Sequence, residues 1–360
     1  MKKQFFKYLL LLALLLFIKT TSHAQQRIDT ILHVSGYDIH FNITKGKGTP
    51  VIFENGANSD LTIWDDVIKP VSSITGAPLI TYDQVGLGKS SPDMPQLSVP
   101  EGVVLLEKAL HLLGYDQPAM FVSASWGSMY ITLYAVKHPE KVKIAVISDG
   151  VTVCACKNDL RPVSGKDTVL KSLSFPASIP VVDLVSDYTP FKTQTEREAW
   201  KRCHREFVAE APNNRTGILA EECEHDIVSA NPGLFINIVA QAYSRIVSPS
   251  EAALVNKRAL AYAITSANEL KKNEVRYRHS DEDMNRWGYS LLGEGKTEQA
   301  LLVFKLNVSL YPSDWNVYDS YGEALLKAGQ KEEAIKMYRR SIELNPDNEG
   351  GKKILKEIVN

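Results

Sequence analysis

Ala119-Met120-Phe121-Val122-Ser123-Ala124-Ser125-Trp126-Gly127-Ser128-Met129-Tyr130-Ile131-Thr132 runs from an apolar strand pattern, through Ser-x-Ser-x-Gly, into a helical pattern. In the related form Gly-x-Ser-x-Gly, a tight strand-to-helix turn lifts the central hydroxyl above a sheet, and small flanking residues let neighbouring backbone pass close beneath it. Ser125 occupies the nucleophile position, and Ser123 stands where the first glycine is usual. An ordinary serine-rich strand end has the same letters, so the rest of the chain decides.

Working outward, Val51 to Phe53, Met120 to Val122, Ile144 to Ile147 and Val181 to Val185 are short apolar runs, the last interrupted by Asp183. Runs without polar alternation suit strands buried on both faces, and helical patterns near 61–74, 101–114 and 127–138 lie between them. This order predicts an α/β fold with a doubly wound, mostly parallel sheet. Ile31 to Ile43, around Gly36, reads as a hairpin leading into it. Only about thirty residues separate Ser148 from Ile179, too few for a multi-helix lid.

The 360 residues are 44% hydrophobic and 23% charged, an ordinary globular composition with material for more than one core. A net charge of −1 gives no support to the dense basic surface that nucleic acid requires. Lys2, Lys3 and Lys7 precede an apolar run from Tyr8 to Ile18, with Ser22-His23-Ala24 behind it. The reading is a signal peptide over 1–24, cleaved after Ala24, with export to the periplasm or medium and no stable membrane anchor afterwards. Cys154, Cys156, Cys203 and Cys223 allow three full pairings, between which the sequence does not choose, and no C-x-x-C pair supports a metal site.

The character of the chain changes after Val247, where Ser248-Pro249-Ser250-Glu251 reads as a capping box opening a long helix through about Lys271. Beyond it Gly288 and Gly322, Leu291 and Leu325, Gly295 and Gly329, Ala300 and Ala334, Phe304 and Tyr338, and Pro312 and Pro346 recur with one fixed spacing. Small residues let paired helices approach, the aromatic fills the groove between them, and proline ends each unit. Residues 281–348 resemble two tetratricopeptide repeats, with Asn307 and Ser341 in place of the usual alanine, a change expected to weaken local packing. The chain therefore divides into a signal peptide (1–24), an α/β domain (25–247), a linker helix (248–280), the repeats (281–348) and a C-terminal capping helix (349–360).

Residues 37–247 resemble the α/β-hydrolase family in its serine branch. The resemblance rests on Tyr82-Asp83-Gln84-Val85-Gly86-Leu87-Gly88-Lys89-Ser90, on the segment around Ser125, and on Tyr134-Ala135 followed by His138-Pro139-Glu140-Lys141-Val142. It implies a Ser-Asp-His chain order and no cofactor. Serine at the nucleophile position argues against the dehalogenase branch.

Acyl transfer by serine needs a base, a carboxylate to hold that base, and donors for the developing oxyanion. His225, between an apparent strand over Thr216 to Glu221 and Asn231-Pro232, resembles the family's histidine loop. His111, His138 and His204 fall within or at the ends of helices and fit less well. Asp187, just beyond the Val181 to Val185 run, is the expected acid, with Asp149 one strand earlier in reserve. The oxyanion donors are expected to be the N–H groups of Ala57 and Trp126. Glu54-Asn55-Gly56-Ala57-Asn58 replaces the family's usual His-Gly, so Asn55 or Asn58 could add a side-chain donor.

Ser-Trp-Gly-Ser and Tyr-Asp-Gln also resemble proline iminopeptidases, although the H-G-G-P-G loop and large acidic cap of those enzymes are missing from the sequence. The leading expectation is hydrolysis of a small ester or related acyl substrate. Aminopeptidase action on a short peptide is the second, and a non-catalytic binding protein on a hydrolase scaffold the third. The repeats offer a surface for a protein partner.

Overall fold

A computed structural model of the protein describes residues 26–188, 191, 193–272 and 281–359. The expected signal peptide and the last eight residues of the linker lie outside them.

Eight strands form one sheet in the order β1-β2-β4-β3-β5-β6-β7-β8. The hairpin is β1 (Arg27–Val34) and β2 (Tyr37–Thr44), antiparallel to each other, and β2 is antiparallel to β4 (Leu79–Tyr82). From there β3 (Val51–Glu54), β5 (Ala119–Ala124), β6 (Val142–Ser148), β7 (Val181–Tyr188) and β8 (Arg215–Glu224) continue in parallel. Every residue of β3 and β4 is buried, as their unbroken apolar patterns require.

Helices α1 (Asp65–Thr75), α2 (Val99–Leu112) and α3 (Gly127–Lys137) connect the early strands. A short α4 (Val153–Lys157) and a 3-10 helix over Gly165–Ser172 occupy the span between β6 and β7, so the described residues there hold one short α-helix and no large lid. Helix α5 (Gln194–Ala209) links β7 to β8, and α6 (Ile227–Ala230) and α7 (Pro232–Ser244) close the domain. Two apolar cores result. One packs α2 and α3 beneath Phe41, Phe121 and Tyr134, and the other packs α1 and α7 around Phe53, Trp64 and Phe235.

Helix α8 (Pro249–Lys272) begins at the expected box, where Ser248 Oγ donates to Glu251 at 2.7 Å. It buries Val255 and Ala259 in the second core, and Arg258 donates to the Ile74 carbonyl at 3.3 Å. The helical region follows as α9 (Asp281–Gly293), α10 (Thr297–Leu310), α11 (Trp315–Lys327), α12 (Lys331–Leu344) and α13 (Glu349–Val359). Helix α8 meets it through α10, while Trp287 stays 38% exposed.

The repeat spacing has a direct steric basis. A Cβ on Gly288 would lie 2.5 Å from Phe304 Cζ, and one on Gly322 would lie 3.0 Å from Tyr338 Cε2. Each glycine thus makes the hole that the aromatic one helix later fills. Asn307 and Ser341 do not loosen this packing. Both are fully buried, Asn307 Nδ2 donating to the Asp281 carbonyl at 2.8 Å and Ser341 Oγ accepting from Asn348 Nδ2 at 2.9 Å. No described helix is long and apolar enough to cross a membrane.

Candidate active site

Ser125 sits between β5 and α3 with φ +49°, a left-handed conformation that costs a non-glycine residue energy and turns its side chain out of the strand direction. The turn is fixed on both sides. Ser125 N donates to the Ser148 carbonyl at 2.9 Å, and the Ser125 carbonyl accepts from Ser128 N at 3.1 Å. Gly127 is required here, because a Cβ would lie 2.5 Å from the Asn55 carbonyl oxygen.

His225 occupies the turn between β8 and α6, where Asp226 caps the following helix by accepting from Ser229 N at 3.2 Å. Its Nε2 lies 2.8 Å from Ser125 Oγ, and its Nδ1 lies 2.5 Å from Asp149 Oδ2. A hydroxyl, an imidazole and a carboxylate are therefore joined without a gap, across residues 76 and 100 positions apart in sequence.

The carboxylate against His225 is Asp149, in place of the expected Asp187. Register explains the change: Ala124 pairs with Ser148, so Asp149 leaves β6 at the level where Ser125 leaves β5. Its own φ of +44° turns it back over the strand ends. The end of β7 supplies donors instead of an acid, with Ser186 N at 3.0 Å from Asp149 Oδ1 and Ser186 Oγ at 2.7 Å from Oδ2. Trp200 Nε1 donates to Oδ1 at 2.9 Å from α5. Asp187 is drawn away to Lys201, 2.6 Å distant.

Asp149 is fully buried, which alone would push its carboxyl upward. The hydrogen bond from His225, the charges of His204 and His225, and the Ser186 N–H outweigh that burial and hold it below the ordinary carboxylate value. The group is thus an anion at neutral pH.

The loop after β3 lies against the elbow, since a Cβ on Gly56 would stand 3.4 Å from Ser125 Cβ. Among the described residues neither Ala57 N nor Trp126 N donates a hydrogen bond to another group. Asn55 is spent on structure: Nδ2 donates to the Tyr82 carbonyl at 2.7 Å, and Oδ1 accepts from Trp64 Nε1 at 2.7 Å. Asn58 instead accepts from Gln96 Nε2 at 3.2 Å. Asp83 ties down the glycine turn by accepting from Leu61 N at 2.8 Å and Lys89 N at 2.9 Å, with His40 Nδ1 at 2.7 Å.

Three groups escaped sequence reasoning. Glu54 is buried with Tyr82 Oη at 2.5 Å and Gln84 Nε2 at 2.6 Å, and burial pushes its carboxyl up to about 8. His204 and Asp183 form a buried pair, Nδ1 to Oδ2 at 2.8 Å. The helical spacing of Trp200 and His204 was the available signal, hidden by the charged residues around them. Cys154 and Cys203 form a disulfide joining α4 to α5, and Cys156 and Cys223 are buried and take no part in a disulfide among the described residues. The cluster Cys154, Cys203 and Glu206 has ligand-like spacing, but that disulfide removes both thiolates a metal would need.

Residues 49–180 match the family model of the alpha/beta hydrolase fold, and residues 315–348 match the tetratricopeptide repeat. A curated Bacillus subtilis relative, "Uncharacterized protein YqjL", is 26% identical over 117 residues, covering 32% of this chain and 46% of that one. A proline iminopeptidase of Lactobacillus acidophilus is 28% identical over 127 residues, covering 31% of this chain and 40% of its own length. The chain thus spans less than half the length of these curated relatives. Among solved structures, mouse alpha/beta hydrolase domain-containing protein 10 superposes with a TM-score of 0.50 at 17% identity, covering 61% of this chain and 100% of that one. With eight strands in this order and a nucleophile-type turn after β5, the protein has an α/β-hydrolase fold followed by a tetratricopeptide-repeat region.

Proposed function

We propose that this protein is a serine hydrolase that cleaves a small ester or related acyl substrate through an acyl-enzyme on Ser125. The observation that carries the reading is the continuous relay from Ser125 Oγ through His225 to Asp149. Ser125 Oγ attacks the acyl carbon as its proton passes to His225 Nε2, and Asp149 stabilises the imidazolium and fixes its orientation. Ala57 N–H and Trp126 N–H receive the oxyanion. Collapse expels the alcohol, which takes the proton from His225, and water then releases the acid by the same steps in reverse order.

The small α4 and the 3-10 helix over the span from β6 to β7 favour short substrates entering from solvent, with little exclusion of water by lid closure. Similarity to proline iminopeptidases supports aminopeptidase action as the second reading. Export to an oxidising compartment is part of the proposal, supported by the Cys154–Cys203 bridge, as is recognition of a protein partner by the repeats.

The test is labelling of the full chain with a fluorophosphonate probe, followed by a panel of short esters and aminoacyl arylamides. Labelling at Ser125 and turnover of short esters are expected. Faster turnover of proline arylamides would promote the second reading, and absence of labelling in the folded protein would leave a binding scaffold.

A further inference from the structure

Behind Asp149 lies a second histidine and carboxylate that the proposed chemistry does not touch. His204 and Asp183 are 2% and 1% exposed, the latter on β7 and the former on α5. Burying an ion pair this completely is unfavourable unless the surroundings use the charge. Here the pair is also incompletely satisfied on its carboxylate side, because Asp183 Oδ1 has no hydrogen-bond partner among the described residues. Asymmetry of its surroundings gives it a direction. The charged groups facing His204 are Asp183 from β7 and Asp149 from the turn after β6, and both favour the protonated ring, as does the Gly150 backbone. Burial opposes protonation, yet these groups outweigh it and raise His204 above its ordinary value.

The same face of α5 holds Asp149 in two further ways. Trp200, one turn before His204, donates to Asp149 Oδ1 and packs its ring 5.1 Å from the His204 ring. Cys203, adjacent to His204, is bonded to Cys154 on α4, the helix that follows the Asp149 turn. Helix α5 and the acid-bearing turn are therefore fastened covalently next to His204 in the sequence.

We propose that His204, held as an imidazolium by Asp183, is a positioning residue that keeps Asp149 ionised and aimed at His225, an inference that rests on the Ser125–His225–Asp149 reading. The cation does not touch substrate. It offsets the cost of a fully buried carboxylate and limits how readily the Asp149–His225 pair takes up a further proton. Loss of that positive charge removes one of the influences that hold the Asp149 carboxyl down, so the site keeps a proton to higher pH.

The test uses the full-length chain and two readouts. Imidazole ¹⁵N NMR of the wild-type protein is expected to show both His204 ring nitrogens protonated at pH 7; a neutral ring would overturn the proposal whether or not the protein turns over an ester. In ester hydrolysis, His204→Gln and Asp183→Asn should each move the acidic limb of kcat/KM upward by on the order of one pH unit. The double variant should shift no further, because both changes abolish the same charge. Lys201→Gln, which removes a partly buried cation of the same helix that pairs with Asp187, should leave the limb in place. An unmoved limb in folded His204→Gln and Asp183→Asn would sink the inference alone. Absence of any Ser125-dependent turnover would sink the catalytic reading instead, with the NMR result still deciding the charge of His204.

Discussion

The strand ends of the α/β sheet and the helical repeats bury polar groups under opposite rules. Around the sheet, His40, Glu54, Asp83, Asp149, Asp183, His204 and Arg215 are all buried ionisable side chains. In the repeats the buried polar residues among the described ones are Asn285, Asn307, Ser320, Ser341 and Asn348, all neutral. Both regions satisfy their backbones and fill their cores, so the contrast does not come from packing. Burying a charge is costly enough that a stack built only to pack avoids it. The sheet accepts that cost at the ends of β3, β4 and β6, on the side where Ser125 and His225 meet, and also within β2 and β7, on α5 and at the start of β8.

If this contrast reflects chemistry, removing groups at the strand ends should destroy turnover while the repeats answer only in stability. The largest effect belongs to Ser125→Ala and His225→Ala. Each should lower kcat for a short activated ester by on the order of 10⁵- to 10⁶-fold without unfolding the domain, since members of such a unit act together. Full turnover in folded Ser125→Ala would remove the basis for the reading. Next comes the acid: Asp149→Asn should cost on the order of 10⁴-fold, because an amide cannot hold the imidazole in the productive form. Asp187→Asn, which loses its ion pair with Lys201 away from His225, should stay within a few-fold of wild type. Steady-state rates of the two variants side by side decide between the carboxylates.

The same two carboxylates mark how far the sequence could be read. The sheet was legible because β3, β5, β6 and β7 are largely buried on both faces and therefore contain short apolar runs, broken in β7 by Asp183. The nucleophile and histidine stood out through their local turns. The acid did not, because choosing it needs the register of β6 against β5 and the knowledge that Lys201 from α5 occupies Asp187. His204 was concealed for a related reason: its helix carries many charged residues, and only the fold shows that Trp200, Cys203 and His204 form the inward face. The repeats were legible to the level of single contacts, since the pairing of Gly288 with Phe304 lies within one repeat.

That legibility can be broken on the other side of the comparison. Phe304→Ala empties the groove that Gly288 creates and should destabilise the helical region by about 3–5 kcal/mol, the range for a buried phenylalanine cut to alanine. Turnover at 25 °C should be unchanged if α8 carries no mechanical coupling to the strand ends. Calorimetry is expected to show the helical transition moving down alone. A parallel loss of kcat would mean that the repeats support the active site, and the division drawn between the two regions would have to be abandoned.

The smallest effect tests whether a charge buried near the elbow can be costly without being catalytic. Burial pushes Glu54 up to about 8 from the ordinary glutamate value of 4.5, against the opposing hydrogen bonds of Tyr82 and Gln84. A carboxyl raised in the folded state binds its proton more tightly there than in the unfolded chain, so its contribution is full below about 4.5 and is lost as pH rises through about 8. Between pH 6 and pH 8 the wild-type domain should therefore lose about 2 kcal/mol from this group. Glutamine at position 54 keeps the shape, can donate to Tyr82 Oη and accept from Gln84, and has nothing to titrate. Glu54→Gln should accordingly flatten the fall in Tm over that range, with ester turnover changed only a few-fold. Equal slopes in the two proteins would show that Glu54 is already ionised at pH 6. Loss of turnover comparable with Asp149→Asn would instead bring Glu54 into the chemistry and extend the charged, functional side of the contrast as far as β3.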